Sequence, residues 1–110
     1  MIMYSPWLTL VIAGLFEVGW PLGFKLAHTV GAQRTAFIAF AVISMVLSGY
    51  FLYLAQKHLP IGTAYAVWTG VGTIGTFAVG VLFFHDVVSL LRILGVTLIL
   101  GGVIVLKLSA

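Results

Sequence analysis

The residue that most strongly suggests chemistry in this sequence is a glutamate in the middle of an apolar run. Glu17 lies within residues 7–26, and the only other acidic residue of the chain is Asp86. An ionisable side chain inside hydrocarbon is costly and by default marks a functional site. Burial disfavours its charged form, so the carboxylate is poised to hold either a proton or a cationic ligand. The structural alternative is a neutral glutamic acid that ties helices together.

Helical spacing predicts which side chains share the face of Glu17, namely Ala13, Gly14, Trp20, Pro21 and Phe24. The small residues among them leave room beside the carboxylate. Pro21 cannot donate the hydrogen bond that would go to the carbonyl of Glu17, which predicts a kink at that turn. The alternative is that prolines are simply common in membrane helices.

A second stripe combines aromatic rings, hydroxyls and bare backbone, in Tyr65, Trp68, Thr69, Gly72 and Thr76. Aromatic faces attract cations, and more strongly when desolvated. Trp and Tyr more often form interfacial belts, but Tyr65 and Trp68 lie well inside their apolar run. Ser44 and Ser48 share a face of another run, where either could orient Glu17 or merely bond within the bundle.

The elements that must position these residues follow from composition. The chain is 63% hydrophobic and 6% charged, whereas a soluble domain carries about 25% charged residues. Its four apolar runs, residues 7–26, 35–55, 61–84 and 87–106, are close to the length of about 20 residues that spans a bilayer. The short breaks between them force neighbouring helices to run antiparallel. The sequence therefore predicts an all-α membrane protein, a single domain over residues 1–110 with four transmembrane helices.

Basic residues in the loops give almost no bias for one orientation in the membrane. With an even number of crossings, Lys25, Arg34 and Arg92 fall on one side, and Lys57 and Lys107 on the other. Because the positive-inside rule counts such residues in short loops, this near tie predicts insertion in both orientations. The basic residues are also scattered, which argues against a nucleic-acid partner.

Other patterns have simpler explanations than catalysis. GVGTIG at residues 70–75 matches the letters of a dinucleotide fingerprint but lies within a membrane span, where close helix packing explains it better. Gly95 and Gly102, seven residues apart, suit a helix–helix seam. The histidines at positions 28, 58 and 85 lie at loop edges without metal-ligand spacing. With no nucleophile–base pair either, we predict no enzymatic activity.

Two segments carry a resemblance to a known family: IAGLFEVGW at residues 12–20 and LPIGTAYAVWTG at residues 59–70. Over nearly its whole length the chain resembles the small multidrug resistance family, and within it most the guanidinium exporter branch. Glu17 followed three residues later by Trp20 is the feature most specific to that branch.

The resemblance implies an antiparallel homodimer in a bacterial inner membrane, whose two copies insert with opposite orientations. It implies that protons and small organic cations compete for the paired glutamates, without ATP, metal or other cofactor. It also implies roles by position: Glu17 binds both ligands, Trp20 and Ser48 orient it, Tyr65 gates, Trp68 lines the pocket, Gly14 leaves space for the ligand, and Gly95 and Gly102 lie in the dimer seam.

The chain departs from the guanidinium branch at three places. Pro21 stands where alanine is usual, Gly49 where many relatives carry an aromatic residue, and His85-Asp86-Val87 where lysine-glutamate-proline is usual. These departures leave the glutamate and the aromatic residues intact but bear on selectivity for guanidinium. Three alternatives stay open: export of quaternary ammonium compounds or multiple drugs, a structural or proton-conducting membrane subunit, and pairing with a sister chain. Trp20 argues against the first by narrowing the site.

Overall fold

The computed structural model describes residues 5–109. Its elements are α1 (Pro6–Thr29), a one-turn 3-10 helix (Gly31–Gln33), α2 (Arg34–Ala55), α3 (Ile61–Phe83) and α4 (Leu90–Ser109). Each α-helix is long and apolar enough to cross a membrane. The expected all-α fold with four transmembrane helices is therefore confirmed.

Side-chain caps explain where two of the helices begin. Ser5 precedes α1, and its hydroxyl accepts from the backbone N of Trp7 at 3.2 Å, with Pro6 in the first turn. Helix α4 begins at Leu90 rather than at residue 87, because the hydroxyl of Ser89 accepts from the backbone N of Arg92 at 3.2 Å. The segment before Ser89, which includes Asp86, thus belongs to the loop.

Helix α1 is the centre of the bundle and packs against both α2 and α3. Small residues let α2 approach closely: a Cβ on Gly23 would lie 2.9 Å from the Cβ of Ala41, and a Cβ on Gly19 would collide with Ser44. Such close backbone approach is typical of helix seams in membranes, where apolar burial gives little driving force. Ser44 is thereby occupied in the α1–α2 seam.

Helix α4 stands apart from this bundle. Among the described helices its backbone comes close to that of α3 alone, and it contributes no buried residue. Leu90, Leu91 and Leu108 are 89%, 80% and 80% exposed. One side of α4 is therefore available to lipid or to another protein chain.

Aromatic rings accompany the basic residues at one end of the bundle. The ammonium of Lys107 lies 5.3 Å from the ring centre of Trp7, and that of Lys57 lies 5.8 Å from the ring centre of Tyr53. Both are distances at which a cation is attracted to an aromatic face. Because successive helices alternate in direction, the other three basic side chains belong to the opposite end.

Candidate functional site

Glu17 lies near the middle of α1, where it contacts α3 at a glycine, Gly72. A Cβ on Gly72 would lie 2.6 Å from Cγ of Glu17, so only glycine leaves space for the glutamate at this crossing. Gly72 is itself buried. The sequence placed Gly72 on the aromatic stripe, but its contact with Glu17 becomes visible only when the two helices are packed.

One carboxylate oxygen of Glu17 has two possible donors within hydrogen-bond distance. The indole Nε1 of Trp20 donates to Oε1 at 2.7 Å, across the three-residue spacing that brings side chains together on a helix. The hydroxyl of Ser48, from α2, lies 3.2 Å from the same oxygen. Trp68, from α3, donates in turn to the Ser48 hydroxyl at 2.8 Å. Residues from three helices thus fix the position of one glutamate.

The hydroxyl of Ser48 has two possible acceptors and a single proton. Its oxygen lies 2.8 Å from the carbonyl O of Ala13 and 3.2 Å from Oε1 of Glu17. Ser48 is fully buried and already accepts from Trp68. Since a hydroxyl donates only one hydrogen bond at a time, its proton must choose between the carbonyl and the carboxylate. A charged carboxylate is the stronger acceptor, so the choice depends on whether Glu17 is charged.

The second oxygen of Glu17, Oε2, has no hydrogen-bond partner within residues 5–109. Glu17 borders a cavity of about 350 Å³, and small-molecule sites have volumes of about 300–1,000 Å³. Its lining combines aromatic, hydroxyl and acidic side chains, from Glu17, Trp20, Pro21, Thr69, Gly72, Thr73, Thr76, Phe77 and Asp86. An oxygen without a partner beside such a cavity can take a proton or a cation.

The remaining site residues expected from the sequence do not all reach this cavity. Tyr65 is 57% exposed, its ring centre lies 5.3 Å from that of Trp68, and it borders a separate cavity of about 320 Å³ between α3 and α4. A Cβ on Gly14 would lie 2.5 Å from Cγ1 of Val71. In a single chain, Val71 rather than a ligand therefore occupies the space beside Gly14.

Two glycines of α4, Gly95 and Gly102, have open space where a side chain would begin. A Cβ on Gly95 or Gly102 would meet nothing within 4 Å. Gly102 also borders the cavity that contains Tyr65. Close packing within residues 5–109 thus does not require glycine at either position, and both positions leave room for a neighbouring chain.

Comparison with known proteins decides the family. A model of the Small Multidrug Resistance protein matches residues 5–99. The chain belongs to the small multidrug resistance family. The resemblance expected from residues 12–20 and 59–70 is confirmed.

Curated relatives narrow the similarity within the small multidrug resistance family. The chain is 46% identical over 104 residues to a protein named guanidinium exporter from Yersinia pseudotuberculosis, covering 94% of this chain and 98% of that one. Proteins of the same name are 44% identical in Salmonella typhimurium, over 94% and 97% of the two chains, and 43% identical in Citrobacter freundii, over 94% and 96%. With its four spans, this family member is a multi-pass protein of the bacterial inner membrane.

Sequence reasoning assigned no role at the site to three side chains that line the Glu17 cavity: Thr73, Phe77 and Asp86. Thr73 had a usable signal, because residues 69, 73 and 76 follow the four- and three-residue spacing of one helix face. Asp86 had none, since it comes from a loop whose path depends on the backbone conformation of His85.

Proposed function

We propose that this chain is a proton-coupled antiporter that exports guanidinium and substituted guanidinium ions through alternating access. The observation that carries the proposal is the state of Glu17, which borders a cavity: Trp20 and Ser48 lie within hydrogen-bond distance of one carboxylate oxygen, and the other has no partner within residues 5–109. The names of the relatives, at 43–46% identity over nearly the full length, support the same substrate class.

The site is chemically suited to a planar cation with several N–H donors. A carboxylate oxygen accepts charge-assisted hydrogen bonds from such a group, which a quaternary ammonium ion cannot donate. The hydroxyls of Thr69, Thr73 and Thr76 offer further acceptors along one wall. The ring of Trp20 borders the same cavity and attracts delocalised positive charge. Guanidinium therefore gains more here than a compact cation without donors.

Coupling follows from competition for one carboxylate. A proton on Glu17 removes the charge that the cation needs, and a bound cation stabilises the charged form against protonation. Ser48 responds to this exchange, because its proton serves Glu17 when the carboxylate is charged and Ala13 when it is not. Differential affinity for protons and cations in the two access states then supplies the coupling free energy.

The functional unit is an antiparallel homodimer whose two copies insert in opposite orientations and pair their Glu17 residues. The exposed helix α4, where a Cβ on Gly95 or Gly102 would meet nothing within 4 Å among the described residues, offers a seam for a second copy. Tyr65, which borders the cavity between α3 and α4 rather than the Glu17 cavity, gates the pathway as the two copies rearrange. Trp68 contributes through Ser48 to the pocket, and Gly14 lets α1 adjust against α3.

Transport currents from purified protein in liposomes test the substrate class. Guanidinium, phenylguanidinium and tetrapropylammonium are supplied at equal concentration under an imposed proton gradient. We expect robust proton-coupled current from guanidinium and phenylguanidinium, and weak current from tetrapropylammonium. The reverse pattern would assign the chain to quaternary ammonium export, and proton current that is independent of any cation would indicate a proton-conducting subunit. Purification of an active protein without any other chain excludes an obligate sister subunit.

A further inference from the structure

The Glu17 cavity contains a second carboxylate, that of Asp86. Asp86 follows α3 in the loop to α4, and the preceding residue, His85, has a left-handed backbone with φ of 59°. The backbone N of Asp86 donates to the carbonyl O of Gly80 at 3.1 Å, so the chain folds back onto the end of α3. Left-handed backbone is uncommon for residues other than glycine, and here it directs the loop toward the cavity.

The Asp86 side chain packs against a glycine of α3, as the Glu17 side chain does. A Cβ on Gly80 would collide with Oδ2 of Asp86, while a Cβ on Gly72 would meet Glu17. The two glycines are eight residues apart on α3, which corresponds to about 12 Å along the helix axis. The two carboxylates therefore occupy two levels of one cavity, with Thr76 on the wall that they share.

The carboxylate of Asp86 has no charged partner within residues 5–109. Asp86 is exposed, and it forms no ion pair within residues 5–109. Lys25 borders a neighbouring cavity of about 210 Å³ together with Asp86, but does not pair with it. The loop itself is held through backbone groups, so its conformation does not require the carboxylate. An unpaired charge that borders a cavity leading to Glu17 is free to interact with a cationic ligand.

We propose that Asp86 is a second cation-binding residue, which takes the organic cation at the mouth of the cavity before the cation reaches Glu17. The inference rests on the proposed function and adds a binding step to it. A carboxylate at the mouth of a cleft raises the local concentration of cations and speeds their capture. In a dimer whose copies insert oppositely, one Asp86 stands toward each face of the membrane, so each access state has its own mouth carboxylate.

Asp86→Asn removes the charge with little change in shape, and Asp86→Glu keeps it. Acidic residues contribute little to membrane orientation, so both variants should insert as the wild type does. We expect Asp86→Asn to raise the KM for guanidinium current roughly three- to tenfold at low salt, with the maximal rate within about twofold. The difference should shrink at high salt, because salt screens exposed charges, and Asp86→Glu should restore the wild-type KM. An unchanged KM, or a loss of maximal rate that Asp86→Glu does not restore, would overturn the proposal.

A second variant moves the carboxylate without removing it. Gly80→Ala places a methyl group where Oδ2 of Asp86 lies, whereas Gly31→Ala, in the loop between α1 and α2, meets nothing within 4 Å and serves as the matched control. We expect Gly80→Ala to raise KM as Asp86→Asn does, and Gly31→Ala to leave it unchanged. A normal KM in Gly80→Ala, or an equal rise in both variants, contradicts a role for the position of Asp86.

Calorimetric titration with guanidinium chloride separates this proposal from the function on which it rests. Binding does not require coupled transport, so weaker binding by Asp86→Asn than by wild type supports the mouth site even if coupling is absent. A wild-type protein that transports guanidinium, together with an Asp86→Asn variant that binds and transports it equally well, overturns the role of Asp86 alone. A wild type that neither binds nor transports guanidinium overturns both.

Discussion

The indole N–H of Trp20 donates to Oε1 of Glu17 across 2.7 Å, from one turn further along the same helix. This bond fixes the glutamate relative to α1 itself, whichever way the other helices move. It also makes the two oxygens different, since Oε1 accepts this hydrogen bond and Oε2 has no partner within residues 5–109. Trp20 thus contacts the carboxylate through one oxygen only.

Trp20→Phe keeps an aromatic ring and removes the N–H donor. Hydrogen bonds to charged groups contribute about 1.5–3 kcal/mol, so we expect guanidinium binding to weaken by about tenfold or more. The measurement is calorimetric titration at a pH where the wild type binds. Trp7→Phe, near the start of α1 and outside the cavity, is the matched control and should bind normally. Equal affinities for wild type and Trp20→Phe would show that the indole bond does not tune the site.

Gly72→Ala tests whether α3 must lack a side chain at the point where it crosses Glu17. The added methyl carbon would lie 2.6 Å from Cγ of Glu17, which forces the glutamate or the helix to move. We expect guanidinium current to fall by at least tenfold, while the protein still elutes from a sizing column as the wild type does. Gly62→Ala, on the same helix with nothing within 4 Å of the new carbon, should retain full current. Undiminished current in Gly72→Ala would contradict this packing.

Much of the site could be predicted from helical periodicity alone. Trp20 is three residues from Glu17, so any helix through both places them on one face, and the structure has them hydrogen-bonded. The period cannot tell which residue of a second helix meets the first, because that depends on how the helices cross. Gly72 rather than Tyr65 therefore lies beside Glu17, although both belong to the stripe read from the sequence.

The loops were less predictable for a different physical reason. The apolar run from residue 87 to residue 106 indicated a helix starting at its first residue, yet the capping hydroxyl of Ser89 delays the start to Leu90. The hydropathy of a segment does not reveal such capping hydrogen bonds. The left-handed backbone of His85, which brings Asp86 back to Gly80, is likewise invisible in a sequence that has no glycine at that position.

Opposite insertion of the two copies predicts complementation between variants with biased loops. Gln33→Lys with Lys57→Gln leaves four basic residues against one, and Arg34→Gln with Arg92→Gln and Gln56→Lys leaves one against three. Each variant should insert in a single orientation and be inactive when expressed alone. Expressed together, the two should restore guanidinium export. A reporter fused to the C-terminus of the unmodified chain that reads out on one side only would contradict dual insertion.

Gly49 predicts tolerance for substrates with tails. It follows Ser48 on α2, it is exposed, and a Cβ there would meet nothing within 4 Å. If a tail leaves the site through this gap toward lipid, Gly49→Phe should weaken phenylguanidinium current severalfold while sparing guanidinium. Gly49→Ala, which fills much less space, is the control and should transport both. Equal loss of the two substrates in Gly49→Phe would place the exit for tails elsewhere.

The role of the Glu17 carboxylate is tested most directly by measuring proton release when guanidinium binds. The wild type and Glu17→Gln are compared in weakly buffered detergent solution. The amide has neither a titratable proton nor a charge to exchange, and its similar shape should preserve the fold. We predict that guanidinium releases protons from the wild type and none from Glu17→Gln, and that the variant in liposomes cannot drive uphill cation transport along a proton gradient. Proton release or uphill transport by Glu17→Gln at the wild-type level would contradict the central role assigned to this carboxylate.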